Sequence, residues 1–429
     1  VFALLSQRNF CLLWVAHTLS ILGDYVFFIA ITFWVYEQTG SASATAAVLI
    51  VSTVPGILFA PLAGVLVDRW ERRSIMLAVE SARAVLFLAL LGTIFVQPHT
   101  LWPIYVVGFL QSALATFFWS ARGALLPQMI EPPSLLVANA LYMVSDGAVR
   151  VIAPSLSAFI LLNFGPPGVV TIDATTFLIS VGSICLLTSI PLQDIEVASS
   201  SEDIPRPSQI VDVPAKREQR TQMTGNANHH VRGLLMLGSI VAYTAGTLSI
   251  LFPVFVRTML SAGPLAFGWI LTAQAIGEGA MSLLLGRIPP RRGRFAGIGI
   301  VSGGLAVGGF VLMLIVSIHT LFSSLLLNLI FGAMTAAVTL QLLTLLQQRV
   351  ANRFLGRTLA TYTAAQALAQ VGGMGIASAT FAHIGLLWLM MFDGALYLLG
   401  SGLAWIVLTG HDDSGLRKSE KIHQKYPER

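Results

Sequence analysis

Twelve times along this chain a run of about 20 residues passes with almost no charge, the length a helix needs to cross the hydrocarbon core of a bilayer. The runs fall at roughly 9–36, 43–67, 74–96, 101–122, 136–162, 167–190, 233–256, 265–287, 295–318, 321–346, 356–382 and 385–409, and are numbered spans 1 to 12. In lipid a backbone amide finds no water, so each run must be a helix that satisfies its amides within itself. With 55% hydrophobic and only 10% charged residues, the chain is far too apolar for a soluble domain, where about a quarter of residues carry charge. The expected fold class is an all-α integral membrane protein of twelve transmembrane helices.

The basic residues set the orientation. Of the 25 Lys and Arg, Arg83 and Arg150 lie inside spans and Arg257 follows span 7; all others fall on one side, which the positive-inside rule makes the cytoplasm. Both termini are then cytoplasmic. The net charge of +5 and pI near 9.4 are dispersed among short turns, so they read as topology and no nucleic-acid partner is expected. The first run has no small-residue cleavage site and is long enough to span, so it reads as a retained helix. Residues 191–232 mix Pro, Ser, Gln and both signs of charge with no sustained apolar period, as expected of a flexible linker with room for a short surface helix. The chain therefore divides into a six-helix bundle at 1–190, a cytoplasmic linker at 191–232, a second six-helix bundle at 233–410 and a cytoplasmic tail at 411–429.

The two bundles are related. "LLPQ" at 125–128 aligns with "LLQQ" at 345–348, Gly165 with Gly385, and "IDATTFLI" at 172–179 with "FDGALYLL" at 392–399, all at one offset. A constant offset across separated landmarks indicates two parallel repeats, an arrangement that puts a substrate site at their interface. Nothing in the sequence suggests an enzyme. It has no HExxH, no GxxxxGK[ST], and its two cysteines, Cys11 and Cys185, stand apart without a metal-ligand spacing; no cofactor or metal is expected.

Between spans 2 and 3 the turn "GVLVDRWERR" packs charge densely: Asp68, Arg69, Glu71, Arg72 and Arg73 follow Gly64. Topology alone would not need Gly64 or Asp68. The pattern Gly-x-x-x-Asp-Arg-x-x-Arg-Arg in this place resembles the loop motif of the major facilitator superfamily. "LGDYVFFIAITFWVYEQTGSASA" (22–44), "LLPQMIEPPSLLVANAL" (125–141) and "LLQQRVANRFLGR" (345–357) resemble its branch of enterobactin exporters and macrolide efflux proteins. The family often has Gly where this chain has Glu71, and its helix-5 Gly-Pro motif is reduced to Ala153-Pro154 with Ser157. Arg122 lies toward the cytoplasmic end of span 4, so the central arginine of many drug antiporters is missing. The resemblance implies a bacterial inner-membrane transporter, working as a monomer, whose motif aspartate latches the halves on the cytoplasmic side. The N-terminus of span 11 enters there, and its free amides and dipole would favour the Asp68 carboxylate by about 0.3–1 kcal/mol.

Polar residues inside spans are the second guide, because each charge costs about 2.5–3.5 kcal/mol when central. His17, Ser20 and Asp24 share one face of span 1. Asp146 and Arg150 on span 5 are spaced to pair. Gln274 and Glu278 lie on span 8, and Gln366 and Gln370 on span 11 repeat Asp146 and Arg150. In the family these four helices border the central cavity. Asp24 and Glu278 have no basic neighbour on their own helices and are the leading proton-coupling candidates, followed by Asp146 and His17. Ser20, Arg150, Gln274, Gln366 and Gln370, with the aromatics Phe117, Phe118, Tyr243 and Phe252, are the substrate-cavity candidates. Glu80 and Arg83 read as a structural pair on a peripheral helix. Asp173 and Asp393 read as packing or helix-dipole acids near the outer surface. Gly299, Gly303, Gly304 and Gly308 are spaced for close helix contact on span 9. The expected function is proton-coupled efflux of an amphipathic or apolar small molecule by alternating access. A lipid flippase on the same fold is the rival, and a non-transporting sensor a weaker one.

Overall fold

The computed structural model describes residues 2–97, 100–130, 132–187, 214–287, 294–318, 320–350 and 352–409, and every regular element among them is a helix. A short helix, Phe2–Leu5, precedes span 1, Arg8–Thr39; spans 2, 3 and 4 are Ala42–Arg69, Arg72–Val96 and Trp102–Met129. Spans 5 and 6 form the element Pro132–Cys185, broken at Gly165, where φ is 62° and ψ −169°. Glycine takes that backbone without strain, and Pro166 and Pro167 start span 6 where their missing amide protons would have had no partner. Span 7 is Pro214–Thr258, so the later part of the expected linker is helix continuous with span 7. Spans 8 to 12 are Pro264–Arg287, Arg294–Ser317, Leu321–Arg349, Asn352–Ile384 and Leu386–Thr409. The earlier part of the linker and the tail lie outside the described residues.

Among the described residues, nine helical stretches are long and apolar enough to cross a membrane, with spans 5 and 6 counted as one. Spans 8 and 11 do not reach that hydropathy, although they are helices of 24 and 33 residues. They are the spans that carry Gln274 and Glu278, and Gln366 and Gln370.

The repeat is visible in the backbone. Gly165 and Gly385, aligned by sequence, both take positive φ, at 62° and 82°. Helix pairing repeats too: span 1 packs on the span 5–6 element, span 2 on 4 and span 3 on the span 5–6 element in the first half. Spans 7 on 11, 8 on 10 and 9 on 12 pair in the second. The two halves reach this arrangement by different means. Lipid is as apolar as leucine, so helices associate through close backbone approach or polar contacts. In the second half glycines do it: Gly246 lies on the Gln370 carbonyl and Gly373 on the Tyr243 carbonyl, Gly277 on Leu329 and Gly332 on Gln274, and Gly309 against Gly394. Of the expected span 9 glycines, Gly304 meets Val338 and Gly308 meets Tyr397, but Gly299 and Gly303 face open space. Gly309, outside that spacing, makes the backbone contact.

The described hydrogen bonds, ion pair and ring stack between the halves all lie toward the end of the bundle that holds the turns between spans 1 and 2, 5 and 6, and 7 and 8. Phe33 stacks on Phe267 with centroids 5.4 Å apart. Ser155 and Thr272 share a hydrogen bond of 2.8 Å, and Thr272 lies 3.1 Å from the Val151 carbonyl. Gly268 sits against the Pro154 carbonyl, and Arg257 reaches Glu37 at 4.0 Å. One apolar core runs through both halves here. At the opposite end, around Phe10, Val67, Ile75, Leu125 and Ile184, a separate core is built from the first half alone. Among the described residues, the polar and ring contacts between the halves lie at one end, and the core at the other end belongs to the first half alone.

Candidate functional site

Two buried charge networks and the interface between the halves make up the candidate site. The first network is centred on Arg83 of span 3, which is 1% exposed. It donates to Glu80 at 2.9 Å and to Ser20 at 3.0 Å, and pairs with Asp24; Ser20 in turn donates to Glu80 at 3.2 Å. The guanidinium also lies 4.2 Å from the centre of the Phe177 ring, a favourable place for a planar cation. Asp173 is fully buried beside Gly23 and within the charge field of Arg83 and Asp24. Three acids thus surround one arginine. Asp24, without a basic neighbour on its own helix, takes its counter-charge from span 3, and the expected Glu80–Arg83 pair forms at 2.9 Å but inside this buried network and not on a peripheral face. Ser20 is likewise buried within it rather than lining a cavity.

Asp24 also faces outward from the network. Gln111 of span 4 donates to it at 2.6 Å, and both border a cavity of about 290 Å³ with Tyr25, Phe28, Ser52 and Ser112. Asp24 therefore joins the buried network to an open pocket between spans 1, 2 and 4.

The second network lies on spans 1, 4 and 5. His17 is fully buried; its Nε2 is 2.8 Å from Asp146 and its Nδ1 is 3.1 Å from Arg122. A guanidinium only donates and a carboxylate only accepts, so both bonds are satisfied by the ring tautomer with its proton on Nε2. Arg122 is sandwiched 4.4 Å from the Tyr142 ring and 5.0 Å from Trp119, while Trp14 donates to Ser145 at 2.8 Å beside them. Arg122 was missed by sequence reasoning, which placed it at the end of span 4. The signal was its register with His17, which no single-helix spacing reports. The expected Asp146–Arg150 pair does not form: Asp146 turns to His17, and Arg150 lies over the Tyr25 ring at 5.6 Å.

Across the interface, Glu278 of span 8 accepts from Gln274 at 3.1 Å and lies close enough to Arg150 for their charges to interact. The Tyr25 hydroxyl is within the fields of Arg150, Asp146, Glu278 and Asp24, so these four ionisable groups converge on one region. Span 11 contributes less. Gln366 donates to its neighbour Tyr362 at 3.3 Å, and Gln370 meets span 7 through its backbone. Phe118 and Phe252 are 1% and 3% exposed and belong to the apolar cores, not to a cavity. Phe117 packs half-buried on the first-half core, and Tyr243 is half-buried on span 7, its backbone carbonyl against Gly373 of span 11. Asp173 and Asp393 are both fully buried about two turns beyond Gly165 and Gly385, past the first turn where a helix dipole acts.

The motif turn is in part reassigned. Arg73 donates to the carbonyls of Ile184 at 3.2 Å and Cys185 at 2.9 Å, satisfying groups left open at the C-terminus of span 6. It is thus an anchor within the first half. Glu71 is the residue before span 3 and accepts from Ser74 at 2.6 Å, a use of that position that glycine could not serve. The Asp68 side chain and those at the start of span 11 lie outside the described residues, as does the second-half counterpart turn. Spans 2 and 11 do pack together.

The candidate site thus lies between two pseudo-symmetric helical bundles, with ionisable groups from both converging on their interface. The family model of the Major Facilitator Superfamily matches residues 13–223 and 234–428, and the chain belongs to that superfamily. It is 26% identical over 176 residues to an uncharacterised transporter of this type, YfiS, from Bacillus subtilis, a match covering 41% of each chain. It is 23% identical to macrolide efflux protein A of Streptococcus pyogenes, covering 65% of this chain and 66% of that one. The chain thus spans less than two thirds of these two relatives. It is 25% identical to the enterobactin exporter EntS of Salmonella choleraesuis, over 79% of this chain and 80% of that one. Among solved structures, a bacterial homologue of the iron transporter ferroportin in an inward-facing state superposes with a TM-score of 0.71 at 12% identity, covering 94% of this chain and 99% of that one. A bacterial homologue of the human lysosomal transporter Spinster, inward-facing and occupied, gives 0.69 at 12% identity, covering 93% and 96%. These likenesses establish the fold.

Proposed function

We propose that the chain exports a small amphipathic or apolar molecule of drug or siderophore type across a bacterial inner membrane, driven by proton entry. The observation that carries this reading is the pairing of an interface joined at one end with Asp146, Glu278 and Asp24 near its open region. The distribution of basic residues assigns the joined end to the outside and the separate end to the cytoplasm. The chain is then held in the state that loads substrate from inside. Rocking of the halves would close the cytoplasmic end and open the outer one. Asp146, held by a histidine that Arg122 orients, joins Glu278 and Asp24 as a site where gain and loss of a proton would bias the two states. The efflux activity of the macrolide and enterobactin relatives supports the direction.

Inverted membrane vesicles test it. Labelled macrolide, catecholate siderophore or lysolipid should accumulate when a pH gradient, acid inside, is imposed and not when it is collapsed. Asp146→Asn or Glu278→Gln should lose accumulation while retaining exchange down a gradient, which needs no net protonation cycle. Movement of lysolipid alone would favour a flippase, and full accumulation in both variants would remove these acids from the coupling.

The motif turn makes a separate prediction. Arg73→Gln should lower the melting temperature of purified protein by a few degrees, because hydrogen bonds from a charged group at a partly exposed helix end are worth about 1 kcal/mol. Asp68→Asn should leave melting unchanged and impair transport, since its latch is used in one state. Normal transport in Asp68→Asn would leave the turn with anchoring and topology only.

A further inference from the structure

Arg150 stands out as a charge without a salt-bridge partner. It lies midway along span 5, where an unpaired cation is costly, yet among the described residues no carboxylate lies within 4 Å of it. The nearest acid on its own helix, Asp146, is committed to His17. The side chain is exposed and extends over Tyr25, and its charge reaches Glu278 on the other half without contact. The other two intramembrane arginines differ: Arg83 is paired with Asp24 and Glu80, and Arg122 is bonded to His17 between two rings. Arg150 is therefore presented to the space between the halves with its planar fork of donors free of any carboxylate.

Resting on the reading of that space as the substrate site, we infer that Arg150 is the anchor for an acidic group on the substrate, a carboxylate, phenolate or phosphate carried on an otherwise apolar body. A guanidinium pairs with such a group through parallel charge-assisted bonds. The Tyr25 ring lies 5.6 Å from the guanidinium carbon, within cation–π reach. Glu278 faces the same space with the opposite sign, so it disfavours a second anion and sets the orientation of a ligand carrying one. An anionic substrate leaving the cell also moves in the direction that an inside-negative potential favours.

A matched set of probes tests the assignment: a dansylated medium-chain fatty acid, its methyl ester and the amine of equal chain length. Their binding to purified protein in nanodiscs is followed by dansyl fluorescence. Wild type should bind the acid most tightly. Arg150→Gln should weaken the acid about 30- to 100-fold, as loss of one partner of a desolvated charged pair does, and leave the ester unchanged. Arg150→Lys, which keeps the charge and loses the fork, should fall between. Unchanged ester binding also guards against a folding defect. Equal binding of acid and ester by wild type, equal weakening of both in Arg150→Gln, preference for the amine, or no binding of any probe would each overturn the proposal. Flux of the acid into proteoliposomes is read separately. Arg150-dependent binding without flux would sink the efflux reading and leave the anchor standing.

Discussion

Cysteines introduced at Ser155 and Thr272, with Cys11 and Cys185 replaced by serine, will cross-link under mild oxidation and reduce transport to background, and reduction will restore it. The two hydroxyls are 2.8 Å apart on spans 5 and 8, with Gly268 pressed on the Pro154 carbonyl one turn away, so the backbones are close enough for a disulfide to fit the usual Cβ separation of about 3.8 Å. The bond would hold shut the end at which the halves are joined. A rocking transporter must part that contact once per cycle, so the loss should be complete in the cross-linked fraction, as counted by a shift in gel mobility after cleavage in the linker. A full rate in that fraction would mean that this contact never opens and that the halves do not rock about it.

Arg83→Leu should be the most damaging single change in the first half. It leaves Asp24, Glu80 and Asp173 close together with no cation, and breaking a buried charge network by removing one partner costs about 3–5 kcal/mol. The expected result is little folded protein in the membrane, with the residue melting far below wild type in detergent. Glu80→Gln should be much milder, because Arg83 keeps Asp24 and the amide can still bond Ser20. If Arg83→Leu and Glu80→Gln melt alike, the network does not hold the first half together.

Most of the fold could be read from the sequence because lipid leaves few options. An apolar run of sufficient length must be a helix, and Gly165 and Gly385 could be matched because both turns require a backbone that glycine adopts freely. The site was legible only residue by residue. Asp24, His17, Asp146 and Glu278 were found because a charge in a span is costly, but their partners were not, since spacing along one helix says nothing about a neighbour helix. Arg83 meets Asp24 across 59 residues and Arg122 meets His17 across 105. The i, i+4 rule therefore offered Asp146 the wrong partner. Phe118 and Phe252 were misplaced for a related reason: a helix apolar all round has no periodicity to say which face meets a cavity and which a core.

The repeats carry a buried acid at equivalent places, Asp173 and Asp393, but differ around it. The positions equivalent to Asp24, Glu80, Arg83 and Gln111 are Thr244, Ile300, Gly303 and Phe331. Among the described residues, all partners of Arg83 and His17 lie before residue 187, so the first half can complete both networks before span 7 leaves the ribosome. Among the described residues, the second half closes by backbone contact among its own spans. Biogenesis can thus proceed as two successive insertions followed by docking. A gene cut within the linker should yield two polypeptides that meet in the membrane as a working pair, and the same independence would let the halves of such transporters be exchanged as cassettes.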